Sequence, residues 1–128
     1  MIINQVILIG RVGKFKDIKY LDNGSAVATI SLGVKRGEKW NNHFIKFFNT
    51  PKSLVAERIM EDVKEGEYIQ IVGKLSQQTF IPKGWEGLTD ESGRQKTVTQ
   101  NEVIGFKYRK VYYNEEVDGF EFIDNEED

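Results

Sequence analysis

In the run from His43 to Asn49, two aromatic side chains flank a cation on one face of an alternating segment. Ile45 and Phe47 point one way, toward a core, which sends Phe44, Lys46 and Phe48 to the opposite face. Phe80 closes the outward face of a later alternating segment. Trp40 and Trp85 stand in adjoining connections, and Lys35, Arg36, Lys46 and Lys74 are interleaved among the rings. An aromatic face stacks on any base while cations follow the phosphates, so this mixture fits a single-stranded nucleic acid. Taken singly, each ring has a simpler structural reading. Phe44 and Phe48 could cover a dimer interface, Phe80 could close the bottom of a barrel, and either tryptophan could anchor its loop. It is their combination with the cations that favours binding.

Other chemistry is poorly supplied. With no cysteine, disulfides, thiolate catalysis and Cys-based zinc sites are excluded. His43 is the only histidine, so a Ser-His nucleophile would have to use that one ring. A metal-dependent nuclease needs clustered carboxylates. Outside the C-terminal stretch, the pairs Glu61-Asp62 and Asp90-Glu91 are more simply read as solvated. No catalytic activity, no cofactor and no metal are expected. Duplex DNA fits less well than a single strand, because the one expected helix carries the mixed polar side Glu57, Arg58, Glu61, Asp62, Lys64.

The elements that must position the rings can be read from periodicity. Asn4 to Lys14 is an apolar strand relieved by Gly10 and Gly13, where the backbone can bend. Asp22-Asn23-Gly24 marks a turn. Ala26, Ala28, Ile30, Leu32 and Val34 then share one strand face, with Thr29, Ser31, Gly33 and Lys35 on the other. A polar connection, Arg36 to Asn42, leads to the third strand. Thr50-Pro51 supplies an N-cap and first-turn proline for a helix of about three turns carrying Val55, Ala56, Ile59, Met60 and Val63, ended by Gly66. The fourth strand, Tyr68 to Phe80, places Ile69, Ile71, Gly73 and Leu75 inward. A long, mobile hairpin connection (Ile81 to Lys96) precedes a fifth strand, Thr97 to Ile104. The stretch Phe106 to Tyr113 has no conformation fixed by pattern. Five strands with one helix between the third and fourth is the order of an all-β OB-fold, a five-stranded Greek-key barrel, although other small barrels share the element list.

Charge divides the chain. Of 18 basic and 20 acidic residues, eight acids and no bases lie in Asn114 to Asp128, so a body of net +6 carries a tail of −8. The basic body suits a polyanion, and the acidic segment reads either as an interaction tail or as a disordered, solubilising terminus. The expected division is a single-stranded DNA-binding domain over 1–113 and a disordered acidic tail over 114–128. No signal peptide or membrane-spanning stretch opens the sequence, so a cytoplasmic protein with no membrane association is expected.

Two segments carry a family resemblance. Asn4-Gln5-Val6-Ile7-Leu8-Ile9-Gly10-Arg11-Val12-Gly13-Lys14 and Ile18-Lys19-Tyr20-Leu21-Asp22-Asn23-Gly24-Ser25-Ala26-Val27-Ala28 resemble the start of the bacterial-type single-stranded DNA-binding proteins. His43-Phe44-Ile45-Lys46-Phe47-Phe48, the following helix and Val72-Gly73-Lys74-Leu75 continue the likeness, which covers about residues 2 to 104. The resemblance implies that Trp40, Phe48 and Phe80 stack on DNA, that Arg11, Lys19 and Tyr20 lie near the DNA path or subunit contacts, and that His43 serves subunit association in a homo-oligomer, tetramer or dimer. It implies a protein that coats single-stranded DNA during replication, recombination or repair. An OB-fold adaptor with weak DNA binding is the alternative.

Some residues depart from the family pattern. Asn42 stands where a tryptophan is common, and Ser76 and Gln78 replace arginines. Both changes remove DNA contacts, for which Phe44, Trp85 and the Phe106 to Tyr113 stretch are expected to compensate. The family's Gly/Pro/Gln-rich linker is missing, and the compact form resembles a bacteriophage-encoded member. Asp118, Phe120, Phe122, Ile123 and Asp124 resemble in composition the tip that recruits replication and recombination proteins. The tail is also expected to compete with DNA for the basic body.

Overall fold

The computed structural model describes residues 2–123. β2 (Ala26–Arg36) turns its alternation directly into a wall: Ala26, Ala28, Ile30 and Leu32 are wholly buried. β3 (Lys39–Phe48) returns antiparallel along its full length, from Arg36 opposite Lys39 to Val27 opposite Phe48. The turn between them needs a positive φ, which Gly37 supplies at 62°. β1 (Val6–Tyr20) is long enough to serve two neighbours. Its second half pairs with β2 and its first half with β4 (Tyr68–Phe80). β5 (Val98–Asn114) runs antiparallel to β4, and its residues Val103 to Gly105 lie parallel to Ile45 to Phe47 of β3. That last pairing closes five strands into a barrel, with α1 (Val55–Asp62) inserted between β3 and β4. The expected OB-fold is therefore the observed one.

Phe47, Ile45, Ile30, Leu32, Ile69, Ile71 and Val12 fill the barrel, and Ala56, Ile59 and Val63 plug it from the helix. Gly105 is required here, because a Cβ at this position would run into the Phe47 ring. Tyr108 meets Phe47 edge-on, with ring centroids 6.4 Å apart.

Several details differ from the sequence reading. Thr50 does not cap the helix: residues 50–53 close a turn of their own, with Thr50 and Ser53 bonded backbone to backbone. The N-cap position is Leu54, which makes no side-chain cap, and the first-turn Ala56 N–H is satisfied from outside by Asn49, whose Oδ1 accepts it at 2.9 Å while its Nδ2 donates to Glu57 at 3.1 Å. Leu75 is exposed rather than inward, because β4 pairs with β1 only as far as Gly73, and past Val103, opposite Leu75, β4 and β5 run on as a two-stranded ribbon that covers neither face. The 81–97 connection carries its own hydrogen bonds. Gln95 donates to the Trp85 carbonyl at 2.8 Å and accepts the Gly87 N–H, and Asp90 collects three donors from Ser92 and Arg94. The Ser92 hydroxyl and these backbone N–H groups hold the Asp90 carboxyl below its usual range.

The largest difference concerns the C-terminus. β5 continues through Phe106 to Tyr113 after a break in register beside Val72 and Gly73, and residues 114–119 turn back into β6 (Gly119–Phe122), paired with Val111 to Asn114. The chain therefore keeps regular structure beyond the boundary drawn at Tyr113. The reason is apolar: Phe120 packs against Tyr68 and Tyr113, with centroids 5.3 and 5.5 Å away, and the Arg109 guanidinium lies 3.9 Å from the Phe122 centroid. Asp124, the remaining residue of the expected partner-binding set, lies outside the described residues.

Candidate nucleic-acid interface

Because β3 begins at Lys39, Trp40 belongs to the strand and not to a loop. Strand alternation then sets Trp40, Asn42, Phe44, Lys46 and Phe48 on one outer face, with rings about 13 Å apart at four-residue spacing. Trp40, Phe44 and Phe48 are 46%, 57% and 37% exposed. Opposite them on β2 stand Lys35, Gly33, Ser31, Thr29 and Val27. Gly33, Ser31 and Thr29 are small, which leaves the rings standing above the middle of the sheet instead of burying them. A Cβ on Gly33 would lie 3.3 Å from Trp40 Cε3, so the indole rests on bare backbone. Beside it, Arg11, Lys14, Trp40, Asn42 and Glu65 line a groove of about 340 Å³.

Cations border this face. Lys35 and Arg36 are exposed at the end of β2, across from Trp40 and Lys39. Lys46 is tied to Glu102 of β5 at 2.9 Å. Lys74 lies 5.8 Å from the Phe106 ring centroid. Register links the two halves: Lys46 and Lys74 are both paired with Ile104, one through β3 and the other through β4. From that row, Trp40 on β3 and Phe80 on β4 are each six residues away in the same direction. Phe80, half-buried opposite Val98, therefore extends the same outer face along the ribbon.

Trp85, 37% exposed, sits in the connection beyond Phe80, and no contact joins it to the β3 rings. His43 is half-buried at the inward register opposite Leu32. Sequence reasoning missed Phe15, which meets Phe44 edge-on at 5.6 Å. Its signal was present as an aromatic between Lys14 and Lys16, just past the end drawn for the first strand at Lys14.

A second groove, about 800 Å³, lies between α1 and β5 and is lined by Arg58, Asp62, Phe106, Tyr108, Lys110 and Ile123, among others. Its floor is structural. Tyr108 donates to Asp62 at 2.9 Å, and Lys110 reaches Asp62 and Glu67 at 3.3 Å each. Burial, reinforced by the hydrogen bond to Asp62, raises the Tyr108 phenol well above its ordinary range. Burial pulls Lys110 down, but the hydrogen bonds and charges of Asp62 and Glu67 more than offset it, and the net shift is upward. Among the described residues no group of three His, Cys, Asp or Glu side chains could hold a metal ion, and no helix is long and apolar enough to cross a membrane.

The fold has counterparts in known proteins. A Plasmodium falciparum SSB solved in complex with ssDNA aligns over 97% of both chains, with a TM-score of 0.61 and 23% identity. The single-stranded DNA-binding protein of Bacteroides thetaiotaomicron is 31% identical over 111 residues, 78% of this chain and 62% of that relative's own length. The single-strand binding protein family model matches residues 3–104, a span that holds β1 to β4, the start of β5 and every ring of the β3 face, and the chain belongs to that family.

Proposed function

We propose that this chain binds single-stranded DNA without sequence specificity and coats it during replication, recombination or repair. The observation that carries the reading is the outer face of β3, where three exposed rings are separated by Asn42 and Lys46 and stand beside the small residues Gly33, Ser31 and Thr29 of β2. Bases splay onto Trp40, Phe44, Phe48 and Phe80, each stack worth roughly 1–3 kcal/mol, while Arg11, Lys35, Arg36 and Lys74 neutralise phosphates and Lys46, on the same path, is held back by Glu102. Ring faces stack on any base and the cations read phosphates, so every base is accepted alike. The chemistry is binding, as in the family at large, and no bond is made or broken.

The reading extends to a cytoplasmic protein that acts as a homo-oligomer, with His43 at a subunit contact, and recruits replication or recombination proteins through its acidic C-terminal segment. Light scattering with and without DNA tests the assembly. Titration with oligo-dT tests the central claim: Trp fluorescence should be quenched, and affinity should fall steeply with salt. Preference for duplex over single strand would overturn it. Phe48→Leu with Phe80→Leu separates the adaptor alternative, which predicts little DNA affinity to lose and unchanged partner binding.

A further inference from the structure

β1 contains two more residues than its partner between matched positions: Val12 faces Leu32 and Lys16 faces Ile30, so Gly13, Lys14 and Phe15 together face Ser31. The surplus must bulge off the sheet. Two small residues let it fold down on the outer face. Gly13 sits against the Ser31 hydroxyl with no room for a Cβ, and that hydroxyl donates to the Phe15 carbonyl at 3.5 Å. Lys16 fixes the far end by donating to the Met60 carbonyl at 3.1 Å and to that of Val63, at the C-terminal end of α1. With Lys16 drawn to the helix, Phe15 is left on the face that Phe44 occupies.

The result is a pair of rings at 87° with centroids 5.6 Å apart. Packing alone would bury both, yet Phe15 remains 48% and Phe44 57% exposed. In an edge-to-face pair, the ring offering its edge keeps both faces free and the ring offering its face keeps one. We propose that Phe15 and Phe44 form a two-ring stacking step for bases between Trp40 and Phe48, with Phe15 a DNA-contacting residue in its own right. This rests on the single-stranded DNA reading above. Because the rings are perpendicular, bases on their free faces are turned against each other, so the strand bends at this step. The step supplies contact close to Asn42, whose amide offers no aromatic face.

Phe15→Leu and Phe44→Leu keep apolar volume and remove the π-face. Each should weaken oligo-dT binding roughly fivefold or more, the lower end of one stacked base, with thermal melting within a few degrees of the parent. Oligo-dT carrying 5-iodouracil should photo-crosslink to Phe15 and Phe44, located by mass spectrometry of the peptides. If Phe48→Leu weakens binding while Phe15→Leu does not, and no crosslink maps to Phe15, the two-ring step is overturned and the DNA path stands. If Phe48→Leu and Phe15→Leu both leave affinity unchanged, the path itself is overturned and the step with it.

Discussion

Glu102→Gln should strengthen single-stranded DNA binding. Glu102 holds Lys46 at 2.9 Å, on the strand face where Phe44 and Phe48 stand 57% and 37% exposed. While the pair persists, the Lys46 charge is neutralised and contributes little to phosphate binding, and the carboxylate repels the strand. Replacing Glu102 by the amide frees one cation. Each phosphate neutralised on a single strand steepens the dependence of log K on log[salt] by about 0.7, so one added cation is worth roughly fivefold in affinity on going from 1 M to 0.1 M salt. With Arg11, Lys35, Arg36 and Lys74 engaged, the parent slope is about −2.8 and the variant slope about −3.5. The pair is partly exposed, at 32% for the Lys46 and 20% for the Glu102 side chain, so losing it should cost only about 0.5–1 kcal/mol of stability. Tryptophan quenching by oligo-dT at four or five salt concentrations reads both slopes. An unchanged slope, or weaker binding at low salt, would refute the placement of Lys46 on the DNA path.

Three other expectations follow from individual contacts. Asn49→Ala removes the acceptor for the Ala56 N–H and the donor to Glu57, and should lower stability by about 1 kcal/mol in urea unfolding, as the loss of a helix cap does, without altering DNA affinity once folded. Gly33→Ala places a methyl 3.3 Å from Trp40 Cε3; the indole should tilt, which changes its fluorescence and weakens oligo-dT binding several-fold, while melting stays within a few degrees. Tyr108 and Lys110 both have folded pKa values raised above their ordinary ones. The folded state therefore retains protons that the unfolded chain gives up. Their contribution is complete below about pH 10, is lost as pH rises beyond it, and Tyr108→Phe should make the alkaline limb of a stability-against-pH curve shallower.

Period-two alternation was enough to find the barrel, because β2, β3 and the first half of β4 each bury one face, and burial on one face is what alternation encodes. It also separated Phe44 and Phe48 from Ile45 and Phe47, since adjacent strand residues cannot share a face. Trp40 was assigned to a connection because it is the one apolar side chain in Arg36 to Asn42, too few to show alternation. Those residues are nevertheless strand, held by a two-residue glycine turn and full backbone pairing with β2. Leu75 failed for the converse reason: alternation persists along the ribbon, where there is no interior for a leucine to enter. Phe15 was invisible because a bulge shifts the register, and register cannot be counted through it without knowing the partner strand.

The C-terminal segment shows how charge can mask a fold. Eight acids among fifteen residues read as a chain too polar to pay the entropy of ordering. Yet Phe120 and Phe122 are two residues apart, so on a strand they share a face, and β5 presents Tyr113, Val111 and Arg109 at the matching positions. Among the described residues the acids fall elsewhere. Glu115, Glu116 and Asp118 occupy the turn, where solvent accepts them, and the Tyr113 hydroxyl donates to Asp118, while Glu121 on the opposite face accepts from Tyr112 and from Asn114. The aromatics that would recruit a partner are thus already packed against this chain's own β5. Each ring is still 41% exposed, but a partner that engulfs Phe120 and Phe122 whole must displace β6, so Tyr113→Ala, which removes a ring that Phe120 packs on, should strengthen its capture. If capture instead falls, the partner reads the folded hairpin and not the released strand.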